Sequence, residues 1–462
     1  MEQRLQELIS ELLGSVRTRT QLEIWRRALG KKRPSMARAI AECCNEGGGL
    51  SSKTLERYEF RHTRACELFA DALHKFFGVE SVATLGLGWE PEADRWWTWM
   101  TREEVEEEML HRRKMLRRMG VAGLAGTAGI LLPVSGLVAD ARELGGRGLD
   151  GRSRIGDGDV ADAKKTATKL AVAYTANPGA DTRRAARAHA YTLLSLLKHN
   201  GATMDDPVRH DLQEVASDAA SLAGYGDLST GRCATAGRWF ACALELARVA
   251  GERRLEALAL ASFAYLSSEA ELVEPDPAGA LTDLEAAAAL AGFLPPSGRA
   301  WVYAFLSEQH AELGDDLASG RFLEHVRAAT AVVRYEEAGW GWWSTHGHLG
   351  GWDGGRPDHF AGGRALSLGR PAQALELFDG ALAGVTVPTR RTRLQIDLLK
   401  SSVALGDADR ACASAQAALD LMHAHALVSD LATIRKACSA FPTAWTRRAD
   451  VRDLVERLRI AA

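Results

Sequence analysis

Residues 50–62 read LSSKTLERYEFRH and place Ser52, Lys53, Thr54, Arg57 and Arg61 within one short helical run. Hydroxyls donate and accept hydrogen bonds, and ammonium and guanidinium groups donate and carry charge. Grouped on one helix, these side chains have the chemistry to read base edges in the major groove of double-stranded DNA. A second basic group, Lys31, Lys32 and Arg33, stands at the start of the preceding helix. Unpaired backbone N–H groups at such a position already favour a phosphate. The same residue types on an isolated helix would be a solvated face, so the surrounding elements decide the reading.

Those elements are legible from periodicity. Trp25, Ala28 and Leu29 fall on one face of a first helix, and Met36, Ala37 and Ile40 on one face of a second. Gly47, Gly48 and Gly49 end the second helix and make the turn. Ser51 or Ser52 is the expected N-cap of a third, with Glu56 near its positive end. A fourth helix is expected from Thr63 to Phe77, and residues 1–14 form a short amphipathic helix ahead of the set. Between residues 15 and 78 there are about 13 Lys and Arg against about 7 Asp and Glu, in a chain of net charge −3. The positive surface is therefore local.

This order resembles the lambda-repressor-like (Xre-type) helix-turn-helix family over about 65 residues. LEIWRRALGKKRPSMARAI matches the first half of the family pattern, LSSKTLERYEF the second, and ALHKFFGVESVATLGLG its close. The resemblance implies that Leu55 and Tyr58 anchor the recognition helix. Ser52, Lys53, Thr54 and Arg57 would then face the groove, with half-sites of a palindrome read by a dimer. The chain departs from the pattern at Lys32-Arg33, where the family has Ser-Gln, and at Glu56 and Arg61, where it has Ser and Gly. An acidic residue at Glu56 either accepts from a cytosine amino group or repels the phosphate backbone.

Residues 88–118 are a Trp-rich, charged connector, whose Trp96, Trp97 and Trp99 are expected to contact a partner surface. Residues 119–139, MGVAGLAGTAGILLPVSGLVA, carry no charge. Basic residues ahead of about twenty apolar ones suggest a membrane anchor. Five glycines and Pro133 weaken that, and favour a buried connecting segment with close helix packing. A Gly-, Asp- and Arg-rich linker follows over 140–160.

Beyond residue 160 the sequence repeats. Gly231 is followed at +5, +9 and +12 by Ala236, Phe240 and Ala243; Gly369 by Ala374, Phe378 and Ala381; Gly406 by Ala411, Ala415 and Ala418. A weaker copy runs from Gly314 to Ser319 and Leu323. A small residue lets two helices of a hairpin approach, and the residue four later fills the gap. The pattern resembles the tetratricopeptide repeat, with 37 residues between the two strongest copies against the family's 34. That resemblance implies six to eight stacked hairpins over roughly 160–440, presenting a concave surface to a peptide, small molecule or protein partner. Trp239, Trp301, Trp342, Trp343 and Arg356 are the candidate ligand contacts. The stretch 339–360, with four tryptophans and three histidines, reads as an insertion loop. His346, His348, Asp353 and His359 lack diagnostic metal spacing, so no metal is expected.

The remaining sequence excludes more than it adds. No G-x-S-x-G elbow, P-loop or H-E-x-x-H is present, and neither an enzyme nor a cofactor is expected. The seven cysteines have no CxxC spacing, and Cys43-Cys44 reads as core, which suits a reducing cytoplasm. The N-terminus does not read as a signal peptide. The expected protein is all-α: a helix-turn-helix domain (1–87), a connector and linker (88–159) and a tetratricopeptide-like helical-hairpin solenoid (160–462). Its expected role is that of a cytoplasmic, dimeric DNA-binding regulator with a sensing domain. The alternative is a protein-interaction scaffold with a degenerate helix-turn-helix, possibly membrane-associated.

Overall fold

Alanine and leucine at three- and four-residue spacing turn most of the chain into helix. The computed structural model describes residues 2–14, 16–28, 32–41, 51–59, 97–101, 155–176, 179–200, 204–230, 232–268, 276–333, 352, 355–385, 387–424 and 431–460. Two compact units divide it. One takes Ile9–Asp162 and Ala188–Met204; the other takes Met1–Leu8, Ala163–Arg187 and Asp205–Ala462. No helix among the described residues is long and apolar enough to cross a membrane, and residues 119–139 lie outside them.

Helix α1 (Glu2–Gly14) runs across the division. Its Leu5, Ile9 and Leu12 are buried at the i, i+4, i+7 spacing of a single face. The unit that begins at Ile9 continues with β1 (Val16–Thr20), α2 (Gln21–Ala28), α3 (Arg33–Ala41), α4 (Ser52–Glu59) and β2 (Trp97–Thr101). α4 packs on α2 and α3, and both α2 and α4 touch β1.

The two strands pair antiparallel, with Val16 opposite Thr101, Thr18 opposite Trp99 and Thr20 opposite Trp97. Residues 97–101, inside the segment read as a Trp-rich, charged connector, thus give the N-terminal unit a strand. Alternating threonines in VRTRT and the aromatics of WTWMT are residue types that suit strands. The ladder joins segments about eighty residues apart, a pairing that local periodicity does not reveal.

The second unit is built from consecutive helical hairpins. α5 (Asp157–Ala176) and α6 (Ala180–Asn200), which run across the division, precede them in the chain. Five hairpins then follow. They are α7 (Asp206–Leu228) with α8 (Cys233–Ala250), α9 (Arg253–Ser268) with α10 (Pro277–Ala289), and α11 (Pro296–Glu312) with α12 (Asp316–Thr330). The last two are α13 (Arg356–Ser367) with α14 (Pro371–Ala383), and α15 (Pro388–Leu405) with α16 (Ala408–Ala424). α17 (Leu431–Ser439) packs on α15, and α18 (Ala449–Ile460) on α16. Each hairpin's second helix touches the first helix of the next hairpin, and successive first helices also touch.

The repeat residues explain why the hairpins close. Gly314, Gly369 and Gly406 have φ of 79°, 71° and 76°, a left-handed turn that a Cβ disfavours. The next amide reaches back to the helix, Asp315 N–H to His310 O, Arg370 N–H to Ala365 O, and Asp407 N–H to Ser402 O. That bond satisfies a terminal carbonyl. In two of the turns the following Asp then caps the second helix: Asp315 accepts from Ala318 N–H and Asp407 from Arg410 N–H.

All the +5, +9 and +12 residues of the three strong copies are buried, as are Ser319, Leu323 and Val326 of the weaker one. Ala280, Leu284 and Ala287 on α10 repeat the spacing and are equally buried. That copy escapes sequence reading because position 275 is proline, not glycine. Rings from four successive first helices form a row: Tyr225 to Tyr265 at 6.0 Å, Tyr265 to Phe305 at 5.5 Å and Phe305 to Phe360 at 5.8 Å. Such pairs contribute about 0.5–1.5 kcal/mol each beyond their buried area.

Candidate functional site

Glu59 is the centre of the N-terminal helices. It is fully buried at the end of α4, where an uncompensated carboxylate would be strongly unfavourable. Two guanidinium groups compensate it. Arg26 of α2, itself buried, donates from Nε to Oε1 and from Nη2 to Oε2 at 3.1 Å. Arg33 at the start of α3 donates from Nε to Oε2 at 2.8 Å, and from Nη1 to Glu56 Oε1 at 3.1 Å. Partial burial works against the Arg33 charge, but the hydrogen bond and nearness of Glu59, with Glu56 and Glu23 behind, outweigh it and hold its pKa above the ordinary value. On α2, buried Glu23 pairs with Arg27 at 2.8 Å. One carboxylate thus ties α2, α3 and α4 together, through partners 26 and 33 residues away that helical periodicity does not reveal.

The front of α4 is ordered by Ser51. Its Oγ accepts from Thr54 N–H at 3.0 Å and lies 2.8 Å from Thr54 Oγ1, while Leu55 N–H donates to Ser51 O. Ser51, rather than Ser52, is therefore the N-cap. Behind it, Leu55 and Tyr58 are buried, as are Met36, Ala37 and Ile40 on α3. Ser52 and Lys53 are exposed on the first turn, Lys32 is exposed just ahead of α3, and Thr54 is half-buried.

Arg33 departs from its expected place on a phosphate: its guanidinium is engaged by Glu56 and Glu59, which makes it a positioning group. The same contact changes the meaning of Glu56, whose charge is matched by Arg33. Lys31, Arg61 and Leu29 lie outside the described residues, as do the side chains of Trp25, Ala28 and Arg57.

In the repeat unit, Trp239 and Trp301, expected as ligand contacts, are buried in the core. Trp239 donates from Nε1 to Asp227 Oδ2 at 2.9 Å, and that buried carboxylate also pairs with Arg187 and Arg232. Trp301 meets Phe305 edge-on at 5.0 Å. Large apolar area at 3.6-residue spacing buries itself, and a sequence cannot separate that from a binding wall. Arg356 lies 5.8 Å from the centre of the Trp352 ring. Trp342, Trp343, His346, His348, Asp353, Cys43, Cys44 and Trp96 lie outside the described residues; Trp97 and Trp99 fall in β2. No group of three metal-capable side chains occurs among the described residues.

Compared with known protein families and with curated proteins, the chain finds no match.

Proposed function

We propose that this chain is a DNA-binding transcriptional regulator whose helical repeats sense a ligand or partner. The observation that carries the reading is α4 itself. It is capped by Ser51, anchored by Leu55, Tyr58 and the Glu59–Arg26–Arg33 cluster, and leaves Ser52 and Lys53 on its exposed first turn. A helix fixed on one side, with polar and cationic groups exposed at its N-terminal end, suits insertion into a major groove. Arg57 and Arg61 extend that surface by sequence, and Lys32 supplies a phosphate contact. The groove is read by an Xre-type helix-turn-helix, working as a cytoplasmic homodimer on a palindrome.

The hairpin pairs, with first helices in contact from one to the next, support a tetratricopeptide-like solenoid as the sensing part. A ligand there shifts the population of dimers that place both recognition helices on their half-sites. The test is a mobility shift of the intact chain on duplex DNA at two salt concentrations, beside Lys53→Ala. Sequence-selective binding weakened by the substitution supports the reading; weak binding that vanishes with salt and ignores Lys53 contradicts it.

A second reading is a protein-interaction scaffold whose helix-turn-helix no longer reads DNA. The diversion of Arg33 to two carboxylates favours it, because one expected phosphate contact is lost.

A further inference from the structure

His359 on α13 and Asp397 on α15 form a largely buried pair joining two successive first helices, with Nε2 3.0 Å from Asp397 Oδ2 and side chains 14% and 13% exposed. Burial penalises the Asp397 charge, but the His359 hydrogen bond and the cations Arg393 and Lys400 outweigh it and keep the carboxyl below its ordinary range. Burial, with Arg356 and Arg390 nearby, pushes the His359 pKa down despite Asp397. An ionised carboxylate only accepts, so His359 carries a hydrogen on Nε2, and with its pKa pushed down the neutral ring has none on Nδ1. The lone pair then sits on Nδ1. That atom is buried and has no hydrogen-bond partner among the described residues.

The surroundings are cationic. Arg356 precedes His359 by one turn of α13, and its guanidinium lies against the Trp352 ring. Trp352 is itself fixed, stacked on Phe360 at 5.8 Å and donating from Nε1 to Thr330 Oγ1 at 2.9 Å. On α15, Arg390 and Arg393 stand seven and four residues before Asp397, on the same helix face. Arg390 is only 6% exposed, unusual burial for a cation. A fixed acceptor flanked by guanidinium groups calls for a ligand that is anionic and also carries a hydrogen.

We propose that α13 and α15 form a binding site for a protonated phosphate group, free or as a monoester. Arg356 and Arg390 take its oxyanion, and His359 Nδ1 accepts its P–O–H hydrogen. Near neutral pH a phosphate monoester retains that hydrogen in part, since its second pKa is about 6. Sulfate and carboxylates have none to offer, so the acceptor discriminates against them. The site gives the repeat unit a ligand class and stands independently of DNA binding, because its test contains no DNA.

The test is titration of the intact chain with sodium phosphate, phenyl phosphate and sodium sulfate at pH 6.5 and matched ionic strength. It is read by calorimetry and by the His359 ring-nitrogen resonances, identified by their loss in His359→Gln. The expected result is saturable phosphate binding at least fivefold tighter than sulfate, a moved Nδ1 resonance, and at least fivefold weaker binding in Arg356→Gln. Tighter binding of phenyl phosphate than of phosphate points to an esterified ligand, and the reverse to the free ion; both support the site. Equal response to phosphate and sulfate, an unmoved Nδ1 resonance, or unchanged affinity in Arg356→Gln overturns it. Arg356 is half-buried, so that variant tests the site without emptying the core.

Discussion

Phe378 lies directly on Gly362: a Cβ built at Gly362 would fall 2.5 Å from Phe378 Cε1. Phe240 covers Gly224 in the same way at 2.4 Å. Each glycine stands seven residues before its repeat glycine and each ring nine after it. At those two positions the copy around Gly314 has Ser307 and Leu323, and the copy around Gly406 has Leu399 and Ala415. As the first residue grows the second shrinks, so the hairpin interface is filled by pairs of complementary size. In the serine copy the backbones are bridged instead, Ser307 Oγ donating to Ser319 O and Ser319 Oγ to Ser307 O.

Gly362→Ala should therefore destabilise the repeat unit, by about 1–3 kcal/mol of overpacking, although alanine is the better helix former. The double substitution Gly362→Ser with Phe378→Leu, which copies the 307/323 pair, should recover at least half of that loss. Urea midpoints of Gly362→Ser, Phe378→Leu and the double give the coupling directly. Simple additivity would count against size complementarity.

Removing the charge at Glu59 should release α4. Glu59→Gln leaves the buried Arg26 guanidinium without its counter-charge, at about 3–5 kcal/mol. Trypsin should then cut at Lys53 and Arg57 while the repeat helices stay resistant, and DNA affinity should fall for every sequence alike. Unchanged cleavage would mean that α4 is held by its apolar face alone.

The cap makes a finer test. Ser51→Ala should cost about 1 kcal/mol locally and speed hydrogen exchange at the Thr54 amide. Ser51→Asp keeps an acceptor for that amide but adds a negative charge at the proposed interface. It should hold exchange near the wild-type rate yet weaken DNA binding several-fold, more so at low salt. If both variants bind DNA as well as wild type, the first turn of α4 does not face the phosphates.

Stability against pH should carry a His359 signature. Its folded pKa lies below the ordinary 6.5, so on acidification the unfolded chain takes up the proton first. Stability from this group is complete above about pH 6.5 and is lost as pH falls toward the folded pKa, with a slope of at most about 1.4 kcal/mol per pH unit. Asp397, also depressed, adds loss of the same sign below about pH 4. His359→Gln should flatten the upper part of the unfolding-against-pH curve. An identical curve in that window would show that the ring is not buried as a neutral group.

Local pattern carried much of this into view. Leu55, Tyr58, Met36 and Ile40 announce their burial by helical spacing, and the Ala-Phe-Ala triplets by repetition. What stayed hidden depends on partners distant in sequence. Arg33 meets Glu59 across 26 residues, His359 meets Asp397 across 38, and β1 finds β2 farther still. Trp239 and Trp301 show the opposite difficulty: an indole that fills a core and one that walls a ligand site have the same spacing, and only burial tells them apart.

Whether α4 reads DNA is decided by selection of the intact chain on a random duplex library, with Arg57→Ala alongside. The expected outcome is enrichment of a palindrome with half-sites about one helical turn apart, absent from the variant's selection. Recovery of unenriched DNA by both proteins, lost together as salt rises, would contradict it and leave only phosphate attraction.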